Sequence, residues 1–148
     1  MVEAGFKGWL LVLAIFQGLL LLRQGGSVVV VARDFVSGVS LPFLEVAPFS
    51  ALYGGRLVIN GLFLALVVVA TALMGLRRRA FVRWGKAEMT ALMVLPVIDY
   101  AWILIVPWSG RTGFSLGLVV TVTIYLAVGL AWRRYIEASP RVAATFVR

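Results

Sequence analysis

Four apolar stretches of about 20 residues constrain this chain more than any other feature of its sequence. They cover about residues 8–32, 57–76, 89–108 and 114–132. A hydrocarbon core about 30 Å thick is crossed by about 20 helical residues rising about 1.5 Å each. Inside lipid every backbone N–H and C=O has to be satisfied within its own segment or a closed barrel, so apolar runs of this length are helices. The predicted fold is therefore all-α, an integral membrane four-helix bundle forming a single domain over residues 1–148. Composition agrees: 62% of residues are apolar and 14% charged, whereas a soluble domain carries about 45–50% and about 25%. The stretches leave an outer loop at 33–56, a basic loop at 77–88 and a tail at 133–148. No internal repeat relates the two halves.

Charge supplies the orientation. Ten of the fourteen basic residues fall on one side: Lys7, Arg77, Arg78, Arg79, Arg83, Lys86, Arg133, Arg134, Arg141 and Arg148. Arg23, Arg33, Arg56 and Arg111 lie on or towards the other. Basic flanks stay in the cytoplasm, which predicts cytoplasmic termini, a cytoplasmic loop at 77–88 and residues 33–56 outside. The competing reading of the N-terminus, a cleaved signal peptide, places its cleavage site far beyond the apolar run, so a retained span is expected. The basic run Arg77, Arg78, Arg79, Arg83 and Lys86 fits attraction to anionic lipid headgroups, at about 1 kcal/mol per residue near the surface. Nucleic acid is not an expected partner.

Ionisable and polar residues inside the spans are costly, so each needs a partner or a purpose. Counting about 1.5 Å per residue places Arg23, Asn60, Asp99 and Thr121 in the middle or outer half of the bilayer. The expected arrangement is an Arg23–Asp99 ion pair braced by Asn60 and Thr121, with no second carboxylate in the spans. The functional alternative makes Asp99 a proton- or solute-linked carboxylate. Pro96, three residues before Asp99, removes a backbone donor and is expected to kink its helix. Close helix contacts in lipid use small residues four apart. Ala14/Gly18, Gly61/Ala65 and Thr71/Gly75 have that spacing, and Gly117, Thr121, Tyr125 and Gly129 form an unbroken line on the fourth span.

The sequence contains neither Cys nor His. This excludes disulfides, Cys nucleophiles, His bases and metal sites built on Cys or His. No Gly-rich phosphate loop is present. No catalytic residue, metal or cofactor is expected.

Two signatures carry a family resemblance. Gly8-Trp9-Leu10 is followed fourteen residues after the Trp by Arg23, and the chain closes with Tyr135, Ser139, Arg141-Val142 and Thr145-Phe146-Val147-Arg148. In these the chain resembles a family of small bacterial inner-membrane proteins, domain of unknown function 2569. It departs from that pattern in having one Gly before Trp9 and in Gln17-Gly18, where the family is more apolar. The resemblance implies four spans, a longer first outer loop and a bacterial inner-membrane location, and it implies no chemistry. The tail residues Tyr135, Ser139, Arg141, Thr145, Phe146, Val147 and Arg148 set apolar groups among basic ones, as in a stub lying on the membrane or docking onto another chain. The leading expectation is a non-enzymatic accessory or assembly subunit, with a protein partner or second copy in the membrane. The alternative is a small oligomeric transporter or channel using Asp99 as its coupling carboxylate.

Overall fold

The computed structural model describes residues 6–36, 47–105 and 116–147. Among these the chain forms helices and no strand: α1 (Trp9–Val36), α2 (Ala47–Gly75), α3 (Ala80–Ile105), α4 (Leu116–Ala138) and a short α5 (Pro140–Thr145). The first four are long and apolar enough to cross a membrane. Sequential neighbours pack together, α1 on α2, α2 on α3 and α3 on α4. The result is the expected all-α bundle.

The helices overrun the apolar stretches. Arg33 to Val36 belong to α1, Ala47 to Arg56 to α2 and Ala80 to Glu88 to α3, so much of the expected loops at 33–56 and 77–88 is helical. Likewise α4 runs on to Ala138, into the expected tail. The physical reason is simple: a charged residue ends an apolar run but does not break a hydrogen-bonded ladder. At about 1.5 Å per residue, the 28 residues of α1 span about 42 Å and outreach the hydrocarbon core. Residues 37–46 and 106–115, which include Arg111 and the outer ends of the third and fourth stretches, lie outside the described residues.

Buried positions on α1 are Leu10, Leu13, Gln17, Leu20 and Gln24, alternating steps of three and four. On α2 they are Phe63, Val67, Ala70 and Met74, with the same alternation. This is the seam of two helices packed along their length in the manner of a coiled coil. Two of the five α1 seam positions are glutamines, and each finds a polar partner on α2. Gln17 Nε2 donates to Thr71 Oγ1 at 3.2 Å, and Gln24 Nε2 donates to Asn60 Oδ1 at 3.0 Å. Polar groups at seam positions fix register, because any slip leaves them unpaired.

At the end of the bundle that holds both termini, α2 stops in a Schellman motif. Arg77 N–H donates to Met74 O and Arg78 N–H to Leu73 O, with Arg77 left-handed at φ 53°. That position ordinarily takes Gly. The Arg77 guanidinium covers the Phe6 ring, 5.5 Å from its centroid.

The tail closes this end. Pro140 starts α5, where its missing N–H costs nothing, and Val142, Thr145 and Phe146 are buried. The Phe146 ring lies 4.4 Å from Phe81 on α3 and 6.3 Å from Phe6. Arg79 Nε donates to Val147 O at 2.7 Å, and an Arg141 guanidinium N–H donates to Lys7 O at 2.8 Å. Gly8 has φ 57°, and a Cβ there would sit 3.0 Å from the same Arg141 nitrogen. The opening and closing signatures thus meet in space. The expected docking of the tail onto another chain is corrected: its apolar groups are consumed within its own chain, because Phe81 and Phe6 offer them a covered site. Tyr135 also packs against the core, while Val147 remains half exposed.

Candidate functional site

The half of the bundle away from the termini is hollow. A cavity of about 680 Å³ is lined by Arg23, Gln24 and Asp34 of α1, Arg56 and Asn60 of α2, Pro96 and Asp99 of α3, and Thr121 and Tyr125 of α4. All four residues of the expected intramembrane cluster, Arg23, Asn60, Asp99 and Thr121, line it. Their connections differ from expectation.

Asp99 pairs with Arg56, not Arg23. Arg56 Nε donates to Asp99 Oδ1 at 3.0 Å and its terminal nitrogen to Oδ2 at 3.2 Å, a two-pronged match of guanidinium and carboxylate. Arg56 reaches this place because α2 begins at Ala47, which puts Arg56 one turn before Asn60 on the same helix face. Asn60 Nδ2 donates to Arg56 O at 2.9 Å and so bridges the pair to the Gln24–Asn60 contact. Reading Arg56 as the edge of a loop concealed it as a partner. Pro96 sits within α3 one turn before Asp99, where it cannot donate to the Leu92 carbonyl.

Arg23 instead lies over the Tyr125 ring, 5.3 Å from its centroid. Among the described residues it has no carboxylate partner. Thr121 does not brace an ion pair: its hydroxyl donates to Gly117 O at 2.8 Å on its own helix.

The line of small residues on α4 divides accordingly. Gly129 is a true close approach, since a Cβ there would overlap Met93 Cγ and lie 3.0 Å from Met89 O on α3. Tyr125 and Thr121 face the cavity, and Gly117 is exposed. A Cβ on Gly18, Gly61 or Gly75 would meet no neighbour, so the glycines of those pairs are not close approaches within the chain.

A second polar centre lies deeper and nearer the termini. Glu88 of α3 is fully buried. Gln17 Nε2 donates to Glu88 Oε1 at 2.6 Å, while Thr71 Oγ1 donates back to Val67 O at 2.7 Å. Gln17 Oε1 and Glu88 Oε2 are buried without a hydrogen-bond partner among the described residues. The expectation that Asp99 is the lone carboxylate is therefore corrected. Glu88 stands one residue before the third apolar stretch, beside Arg83 and Lys86, and reads in sequence as part of a solvated loop. The available signal was helical spacing: Phe81, Gly85, Glu88 and Leu92 recur every three or four residues on one buried face.

The basic loop residues are partly engaged as well. Lys86 Nζ lies 3.6 Å from Glu137 Oε1 across the α3–α4 pair, and Arg133 Nε lies 3.8 Å from the same oxygen. Arg78 and Arg83 are exposed. Arg148 lies outside the described residues.

Comparisons with protein-family models, with curated proteins and with solved structures find no match for this chain, so the cavity and the buried carboxyl have to be read from their own chemistry.

Proposed function

We propose that this chain is a non-enzymatic membrane protein that admits a solute to the cavity, as a small transporter or channel with Asp99 as its coupling carboxylate. The cavity is the observation that carries this reading. Its volume of about 680 Å³ falls within the range of about 300–1,000 Å³ usual for ligand sites. Its walls come from all four long helices, and its ion pair is one that a solute can open. A cation or proton reaching Asp99 releases Arg56, and an anion reaching Arg56 releases Asp99. Ionisable residues facing an intramembrane cavity commonly mark such paths. The non-enzymatic reading is supported by the lack of Cys and His, which removes the commonest nucleophile–base pairs. The ten-to-four basic asymmetry and the family resemblance support a bacterial inner membrane with both termini in the cytoplasm.

Purified protein in liposomes loaded with a pH-sensitive dye tests the coupling role. Under an imposed inside-negative potential, wild-type vesicles should acidify faster than protein-free ones. The Arg56→Gln/Asp99→Asn double variant, which removes the ion pair and leaves Arg23 and Asp34 in place, should not. Acidification no faster than in empty vesicles rejects the reading.

The accessory-subunit reading retains one specific support after loss of the docking tail. α4 is the least buried of the four long helices, and Val119, Val120, Ile124 and Leu130 are exposed on it. A partner helix or a second copy would cover that face. A mild-detergent native gel with mass spectrometry reads out a partner, a homo-oligomer or a lone chain.

A further inference from the structure

Beside the cavity lies an apolar groove between α1 and α4. The groove is about 290 Å³ and is lined by Phe16, Leu19, Leu20, Leu92, Ile124 and Val128, together with Arg23 and Tyr125. Arg23 and Tyr125 also line the polar cavity, so the two spaces share one wall. α1 and α4 are not among the closely packed helix pairs. They meet through side chains at two levels, Phe16 against Trp132 at 5.8 Å and Arg23 over Tyr125 at 5.3 Å. The groove lies between those levels. Its rim residues Leu19 and Ile124 are 61% and 54% exposed, so it opens onto the surface that faces lipid.

Polarity runs along the bundle in one sense. Phe16 lies seven residues, about 10 Å, beyond Trp9, and Arg23 about 10 Å further. In a core about 30 Å thick the groove therefore sits around the midplane, and the polar cavity fills the half beyond it. A lipid in the leaflet away from the termini has the same order, acyl chain at the midplane and headgroup outward. Charge selects the headgroup. Arg56 is held by Asp99, which leaves Arg23 as the cavity cation without a carboxylate among the described residues. Asp34, the other acid in the lining, lies eleven residues on, about 16 Å towards the mouth. A guanidinium is suited to phosphate because it offers parallel N–H donors to two oxygens.

From this we infer that the solute is an anionic amphiphile of the lipid class, its phosphate at Arg23 and one acyl segment in the groove between α1 and α4. The inference rests on the solute-binding reading above and names its substrate class.

Native mass spectrometry of the full chain in detergent tests it, with dioleoylphosphatidylglycerol, dioleoylphosphatidylcholine and free glycerol 3-phosphate as probes. Wild-type protein should retain one phosphatidylglycerol about tenfold more tightly than phosphatidylcholine, whose choline cation offsets the charge on the phosphate that both lipids carry. Arg23→Gln should abolish that preference. Ile124→Trp, which fills the groove from an exposed position, should weaken both lipids with the melting temperature kept. An Arg78→Gln/Arg83→Gln variant should bind as wild type, which separates the groove from lipid held at the basic end. Equal retention of the two lipids, a preference surviving Arg23→Gln, or glycerol 3-phosphate binding as tightly as the lipid would each overturn the inference. If Arg23→Gln fails to fold, Ile124→Trp decides: undiminished lipid binding rejects the groove. The vesicle acidification assay is independent, so loss of transport with lipid binding intact removes the transporter reading and leaves the lipid site standing.

Discussion

At the scale of single residues, Asp99 depends on Arg56. Removing one partner of a buried ion pair costs about 3–5 kcal/mol. These side chains are 37% and 25% exposed to the cavity, so the loss should fall at or below the low end of that range. Arg56→Gln and Asp99→Asn should each lower the unfolding temperature in detergent, and the double variant should recover part of the loss. Arg23→Gln combined with Asp99→Asn should simply add, because those two residues do not pair. Recovery with Arg23 and additivity with Arg56 would reverse the assignment. Gly129 offers a second test at this scale. Gly129→Ala drives a methyl group into Met93 and towards the Met89 carbonyl and should cost about 1–3 kcal/mol. Gly18→Ala meets no neighbour and should leave the melting curve unchanged. In sequence Gly129 was marked only as the end of the four-residue line through Gly117, Thr121 and Tyr125. Spacing alone could not say that Gly117, on the same line, faces outward.

At the scale of helices, register rests on polar contacts in otherwise apolar seams. Replacing Gln17 by Leu removes the donor to Glu88 and leaves a buried carboxyl with both oxygens unpartnered. Such an orphan costs about 1–3 kcal/mol, whereas removing both partners is near neutral. Gln17→Leu should therefore lower thermal stability, and Gln17→Leu/Glu88→Met should restore it. A double variant worse than the single would show that the centre does more than fill the seam. The end of α2 yields a sharper comparison. Arg77→Gly and Arg77→Ala both lose the contact with the Phe6 ring, but only Gly relaxes the left-handed backbone at φ 53°. Gly should exceed Ala in stability by about 1 kcal/mol, read as a shift in denaturant midpoint.

At the scale of the whole molecule, the end that holds the termini is a tertiary closure built from three distant segments. Phe6, Phe81 and Phe146 come together there, with Arg79 donating to Val147 O of the tail and Arg141 of the tail donating to Lys7 O. Phe146 is 3% exposed, and Phe→Ala in a core costs about 3–5 kcal/mol. Phe146→Ala, or truncation after Pro140, should lower the unfolding temperature and speed proteolysis near residues 77–80. A truncated chain as resistant as wild type would return the tail to the role of a free docking segment. Topology belongs to this scale too. Single cysteines at Ser50 and Ser139 should label from opposite sides of the membrane, and labelling of both from one side would reject four crossings.

The sequence by itself determined the class of this protein and the content of its cavity. Four long apolar runs leave the backbone no alternative to helix, and four helices must pack. Expense in lipid alone marked Arg23, Asn60, Asp99 and Thr121, and all four line one space. What only the tertiary structure decided was partnership. Helix ends depend on hydrogen-bonded ladders that continue through charged residues, so Arg56 and Glu88, read as loop, turned inward to Asp99 and Gln17. Tail docking likewise depends on which surfaces lie within reach. Phe81 lies within reach of Phe146 only because α2 and α3 turn back beside the N-terminus, a proximity between residues far apart in sequence that no local pattern encodes.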